Sequence, residues 1–121
     1  MQDNRKILGH HGEMAALSFL KSIGFKILET NYRTKISEID IIADDHNVIC
    51  FIEVKTRRNL KKGLPKESVT YSKQKKIILG ATYFLKKKKL FNSNIRFDVA
   101  EVYKKNAHFE VNLIKNAFQA H

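Results

Sequence analysis

The chain has 121 residues, the usual size of one domain, with room for one hydrophobic core and not comfortably for two. Hydrophobic residues make up 43% and charged residues 29%, with eight Phe and four Tyr, a composition that packs and excludes a chain disordered throughout. Twenty-three Lys and Arg against twelve Asp and Glu leave a formal charge of +11, so an anionic partner is expected, nucleic acid first and anionic lipid second.

From Asn4 to Ile23 the apolar residues Leu8, Ala15, Ala16, Phe19, Leu20 and Ile23 recur at helical spacing, and Gly24 sits where a left-handed cap would end the helix. Three stretches rich in β-branched or aromatic residues follow, Phe25 to Arg33, Ser37 to Ala43 and Val48 to Thr56. They predict three strands, the last two joined by a tight turn at Asp44-Asp-His-Asn47. The lone cysteine, Cys50, lies in the apolar run Val48-Ile-Cys-Phe-Ile52 and reads as a core side chain; without a disulfide framework the cytoplasm is the expected location. The charged N-terminus meets a helix containing Glu13, so neither a signal peptide nor a membrane span is expected.

Residues 57 to 71 hold the only proline, Pro65, with Gly63 and the cations Arg57, Arg58, Lys61, Lys62 and Lys66, which predicts a mobile basic loop. A second helix is expected from Ser72, its N-cap, to Lys89, with Ile77, Ile78, Ala81, Phe84 and Leu85 on one apolar stripe. Strands at Ile95 to Tyr103 and His108 to Ile114, turning at Lys105-Asn106, complete the order α-β-β-β-α-β-β. The expected fold is α/β, a central mixed sheet flanked by helices, in one domain over residues 1–121.

The hairpin register locates the chemistry. Ala43 facing Val48 across a four-residue turn would set Asp40 opposite Phe51 and Glu38 opposite Glu53. Glu38, Asp40, Glu53 and Lys55 would then share a face with Ile42, Ile49 and Phe51, while Ile39, Ile41, Cys50, Ile52 and Val54 line the other. Asp40 and Glu53 become diagonal neighbours, with backbones roughly 7 Å apart, close enough for their carboxylates to converge on one ion. Clustered carboxylates repel unless a cation lies between them. Hard oxygen ligands without suitable His or Cys point to Mg²⁺ or Mn²⁺ held by Asp40 and Glu53, and Lys55 beside them could hold or deprotonate an attacking water. These are the parts of metal-assisted phosphodiester hydrolysis. The plain alternative is a cross-strand salt-bridge network on a half-exposed sheet.

Asp40, twelve intervening residues and Glu53-Val54-Lys55 resemble the PD-(D/E)xK motif of restriction-endonuclease-like nucleases. More specifically, Gly9-x-x-Gly12-Glu13, Asn31-x-Arg33, Ser37-Glu-Ile-Asp40-Ile-Ile-Ala43, Phe51-Ile-Glu-Val-Lys-Thr-Arg57, Lys73, Arg96-Phe-Asp98 and Asn116-Ala-Phe118 resemble the YraN-like family of small bacterial proteins over nearly the whole chain. The resemblance implies a restriction-endonuclease-like fold. By similarity to archaeal Holliday junction resolvases, it also implies an endonuclease acting on DNA, with branched DNA among its substrates and Glu13 joining the site from the first helix. Glu13 shares a helix row with Gly9, Ala16, Leu17 and Leu20, which would turn it inward.

Arg57 and Arg58, leaving the strand that holds Lys55, are expected to contact phosphate, as are Lys73 and Gln74 at the positive end of the second helix. Lys86-Lys-Lys-Lys89 reads as a solvated helix end, Arg96 and Asp98 as a structural ion pair, and the five histidines as surface residues. A homodimer would bring two sites to two strands. The competing expectation is a nuclease-like module that binds nucleic acid without cutting it.

Overall fold

The structure, a computed structural model, describes residues 4–57 and 69–120. Gly24, at φ 96°, ends the first helix, α1 (Asn4–Ser22), in the conformation that glycine adopts without steric cost. Phe25 N–H then bonds Leu20 O at 2.9 Å and Gly24 N–H bonds Lys21 O at 3.1 Å, the Schellman pattern. The second helix, α2 (Tyr71–Lys87), starts from Thr70 rather than Ser72, because the Thr70 hydroxyl accepts from Lys73 N–H at 3.2 Å.

Strands β1 (Lys26–Arg33), β2 (Glu38–Asp45), β3 (Val48–Arg57), β4 (Asn94–Lys105) and β5 (His108–Phe118) form one sheet in sequence order. All neighbours are antiparallel except β3 and β4, which run parallel through the α2 crossover. The α-β-β-β-α-β-β order and the mixed sheet are those expected. The helices cover opposite faces. Ala16 and Leu20 of α1 pack with Ile41, Ala43, Cys50, Ile52, Ala100 and Val102. Ile77, Ala81 and Phe84 of α2 pack with Ile39, Ile42, Phe51, Phe97, Val99 and Phe118. Ile23, expected on the apolar stripe of α1, is instead exposed at the helix end.

The register of the β2–β3 hairpin corrects the sequence reading. Asp45 pairs with Val48, so the turn is two residues, His46 and Asn47, at φ 50° and 73°. That is the left-handed pair a tight hairpin needs, and Asp44 Oδ1 fixes it by accepting from Asn47 N–H at 2.8 Å. Ile41 therefore faces Ile52, and the next position in the same count sets Asp40 in line with Glu53, not Phe51. Glu38 is removed from Glu53 and sits across from Arg33, with Arg33 Nε 3.4 Å from its carboxylate. The displacement is by two residues, so the faces of Glu53 and Lys55 on β3 are unchanged.

Ile39 is a second correction. It lies on the α2 side with Ile42, three positions away, so the two-residue alternation breaks between them, at Asp40. Asn31, which the β1–β2 count sets across from Asp40, stands at φ 49°. Both strands turn at that point, and the β2–β3 ladder stops at Ile41 and Ile52.

An aromatic row runs across the sheet under α2. Tyr32 meets Phe84 edge-on at 5.3 Å, Phe84 meets Phe51 edge-on at 6.0 Å, Phe51 stacks on Phe97 at 5.6 Å and Phe97 on Phe118 at 5.0 Å. Arg96 and Asp98 form the expected ion pair, with Arg96 Nε 2.8 Å from Oδ1, and the same carboxylate takes Asn116 N–H at 2.9 Å where β5 is irregular. Cys50 is buried, with its thiol pushed up to about 12 mainly by burial, as a core residue. Because Phe51 touches both Phe84 and Phe97, Phe51→Ala should cost about 3–5 kcal/mol by urea denaturation. A loss below about 1 kcal/mol would mean that the row does not organise the core.

Candidate active site

Asp40 and Glu53 meet where β2 leaves β3. The Asp40 carboxylate accepts from Val54 N–H at 2.8 Å, taking the backbone donor that the parting strands would leave unpaired. Its neighbour there is Glu53, and two carboxylates held this close disfavour each other's charged form. Glu53 is 6% exposed. Burial first, and Asp40 second, push its carboxyl up to about 8, against the pull of Lys73.

Lys73, from the first turn of α2, brings Nζ to 3.1 Å from Glu53 Oε2. The oxygen nevertheless has no hydrogen-bond partner among the described residues, so this contact is an ion pair off the angle that a hydrogen bond needs. Lys55 projects beside them. Its ammonium is held below the usual lysine range by burial and then by the Lys73 charge, with Glu53 pulling the other way.

Glu13 reaches the same place from α1. Gly12 lies against β3: a Cβ there would collide with the Thr56 hydroxyl. The missing side chain lets α1 approach β3 directly, with Glu13 next in sequence. The Glu13 carboxyl is raised by burial and by Asp40, and a hydrogen bond with the Asn31 side chain opposes that rise. Glu13, Asp40, Glu53, Lys55 and Lys73 line one open cleft of about 490 Å³, together with Leu8, Gly9, Val54 and Thr56.

The remaining expected contacts are placed differently. Arg57 ends β3 with Nε 3.4 Å from the buried Glu101, which also accepts from Tyr103 O–H at 3.0 Å. Gln74 donates to Val69 O at 3.1 Å and so braces the entry to α2. Arg58 and most of the basic loop lie outside the described residues. Two residues with structural parts here had no role assigned from sequence. Glu101 could have been found as an acid inside the apolar run Val99-Ala-Glu-Val102, and Asn31 as a residue type tolerant of positive φ within a strand.

No group of three or more His, Cys, Asp or Glu converges as a ready cage among the described residues. The Asp40–Glu53 pair still fits a hydrated hard cation. Mg²⁺ keeps several waters and binds through one or two carboxylates, and Glu53 offers a buried oxygen that lacks a directed partner.

The fold and cleft define an α/β protein with a carboxylate pair and two lysines at the split end of a mixed sheet. Residues 12–102 match the sequence model described as "Uncharacterised protein family UPF0102", and the chain belongs to this family. It is 50% identical over 117 residues to a UPF0102 protein of Caldicellulosiruptor saccharolyticus, covering 95% of this chain and 99% of that one. It is 52% identical over 115 residues to a UPF0102 protein of Clostridioides difficile, covering 95% and 99%. A Desulforapulum autotrophicum UPF0102 protein is 46% identical over 119 residues, covering 98% of each.

The raised Glu53 carboxyl gives a signed dependence on pH. It holds its proton more tightly folded than unfolded, so the metal-free protein is stabilised at low pH and loses that stability as pH rises from 4.5 toward 8. Melting temperature measured in chelator should fall across this window for wild-type protein and stay flatter for Glu53→Gln. Equal slopes would show that Glu53 is not the group responsible.

Proposed function

We propose that the protein is a metal-dependent endonuclease that hydrolyses DNA phosphodiester bonds, branched DNA included. The observation that carries this reading is the meeting of Asp40 and Glu53 around a buried oxygen without a directed donor, with Lys55 alongside in an open cleft. Asp40 and Glu53 would hold Mg²⁺ or Mn²⁺, which when bound supplies Lewis-acid activation of the phosphate and its attacking water.

The chain's own groups supply the rest. Lys55, with its ammonium held below the usual range, is suited to orient a water and take its proton as the water adds to phosphorus. The ester P–O bond breaks and the departing oxygen gains a proton. Glu13, its carboxyl raised, can carry a proton at the α1 wall of the cleft. Lys73 and Lys76, both lining the second opening onto the acidic pair, supply positive charge for the backbone, and the overall charge of +11 draws DNA toward them. Arg57, Arg58 and Gln74 are proposed as further backbone contacts, and pairing of two copies would present two clefts to two strands.

Linear, flapped and four-way-junction DNA incubated with Mg²⁺ or Mn²⁺ tests the proposal. Cleavage should appear with either ion and fall by about 10²–10⁴-fold in Lys55→Ala, the usual span for loss of a proton-transfer group. Asp40→Asn should fall at least as far. DNA binding that is salt-sensitive, needs no divalent ion and survives Asp40→Asn, with no cleavage of any substrate, would instead support a module that grips nucleic acid without cutting it.

A further inference from the structure

Lys73 stands where electrostatics argue against it. It lies in the first turn of α2, at the helix's positive end, and the span Tyr71–Lys87 contains no acid to offset it. Lys55 is close enough for the Lys73 charge to disfavour the Lys55 ammonium. What holds Lys73 in place is the acidic pair, through the 3.1 Å approach to Glu53 Oε2. That approach is a matter of charge and not of a directed bond, because the oxygen has no hydrogen-bond partner among the described residues.

The position is also a partition. The main cleft has a neighbour of about 290 Å³, lined by Ile36, Ser37, Glu38, Lys76 and Ile77. Asp40, Glu53 and Lys73 line both openings, so Lys73 is a shared wall above the carboxylates. Its side chain is 42% exposed, which lets the ammonium leave Glu53 without unpacking α2.

We propose that Lys73 is a built-in counter-ion that takes the divalent cation's place at Asp40 and Glu53, and is handed over to a substrate phosphate when the cation is bound. This inference rests on the metal-site reading above. A divalent charge at the carboxylates removes the attraction that holds the ammonium and adds repulsion. The nearest anion able to receive Lys73 is then a phosphate lying across the two openings, where Lys76 also stands, one helical turn further on. Metal and phosphate would thereby assist each other's binding, and the coupling is reciprocal.

Calorimetric titration of Mn²⁺ into the full chain without nucleic acid tests the displacement, using wild-type protein, Lys73→Met, Lys73→Arg and Asp40→Asn. Lys73→Met should bind Mn²⁺ about 3- to 10-fold more tightly than wild type, the scale expected for removing one partly screened positive charge. Lys73→Arg, which keeps the charge, should stay near the wild-type value. In Ca²⁺, DNA duplex affinity should move the other way and weaken about threefold or more in Lys73→Met. Lys73→Gln gives the same comparison if the Met variant does not fold. An Mn²⁺ affinity for the neutral variants equal to or below wild type, with Asp40→Asn binding abolished, overturns the inference alone. Wild-type protein that takes up no Mn²⁺, or Asp40→Asn that takes it up as well as wild type, overturns the metal-site reading and this inference with it.

Discussion

The site depends on two carboxyl groups held side by side in an open cleft, Glu53 buried and Asp40 half-buried. Asp40 is fixed by the Val54 backbone N–H, and Glu53 is enclosed beside it, so neither can turn away to relieve the repulsion. A buried charge costs free energy unless it is paired, and the protein meets that cost in two ways. Burial and the neighbouring Asp40 raise the Glu53 carboxyl, which favours its protonated form, and the ammonium of Lys73 draws near without a well-aligned bond. The loosely aligned Lys73 contact distinguishes this pair from the settled Arg96–Asp98 pair. There, both carboxylate oxygens take guanidinium donors and one also takes a backbone N–H.

Strand geometry creates this condition. Ile39 and Ile42 enter the same core, so β2 cannot keep a strict alternation through Asp40, and β1 turns with it at Asn31. The strands part where the alternation fails. A β-sheet that stayed paired through Asp40 would give Val54 N–H an ordinary ladder partner and leave no cleft. The buried rows on both sides, Phe51 and Phe97 against α2 and Ile52 and Val102 against α1, supply the stability that makes such a local departure tolerable.

Much of this was legible in the sequence because side-chain direction in a strand has period two. The turn at His46 and Asn47 is shorter than the spacing suggested, yet the error in register was even, and Glu53 and Lys55 stayed on their face. An odd error would have reversed them. The fate of Ile39 was not legible, since it depends on the fit of α2 over the sheet and not on the local pattern. Arg57 illustrates a different limit. A cation at a strand end reads as solvent-facing until its neighbour on the parallel strand, Glu101, is known, and that neighbour lies 44 residues further along the chain. Thr70 displaced Ser72 as the cap for a similar reason: both residues can cap, and the path of the chain into the helix decided between them.

Two contacts made by absent side chains have a consequence for the reach of the side chains that line the cleft. Gly12 seats α1 against Thr56, and Gly80 seats α2 against Ser37 and Ile39, so each helix rests on the sheet at a point with no spacer. Glu13 follows the first of these contacts by one residue, and Lys73 stands two turns before the second. Helix height above the sheet therefore works like the jaw setting of a pair of calipers. An added methyl group at either glycine would widen the gap from one side only, moving one wall of the cleft while leaving the acids on the strands where they are.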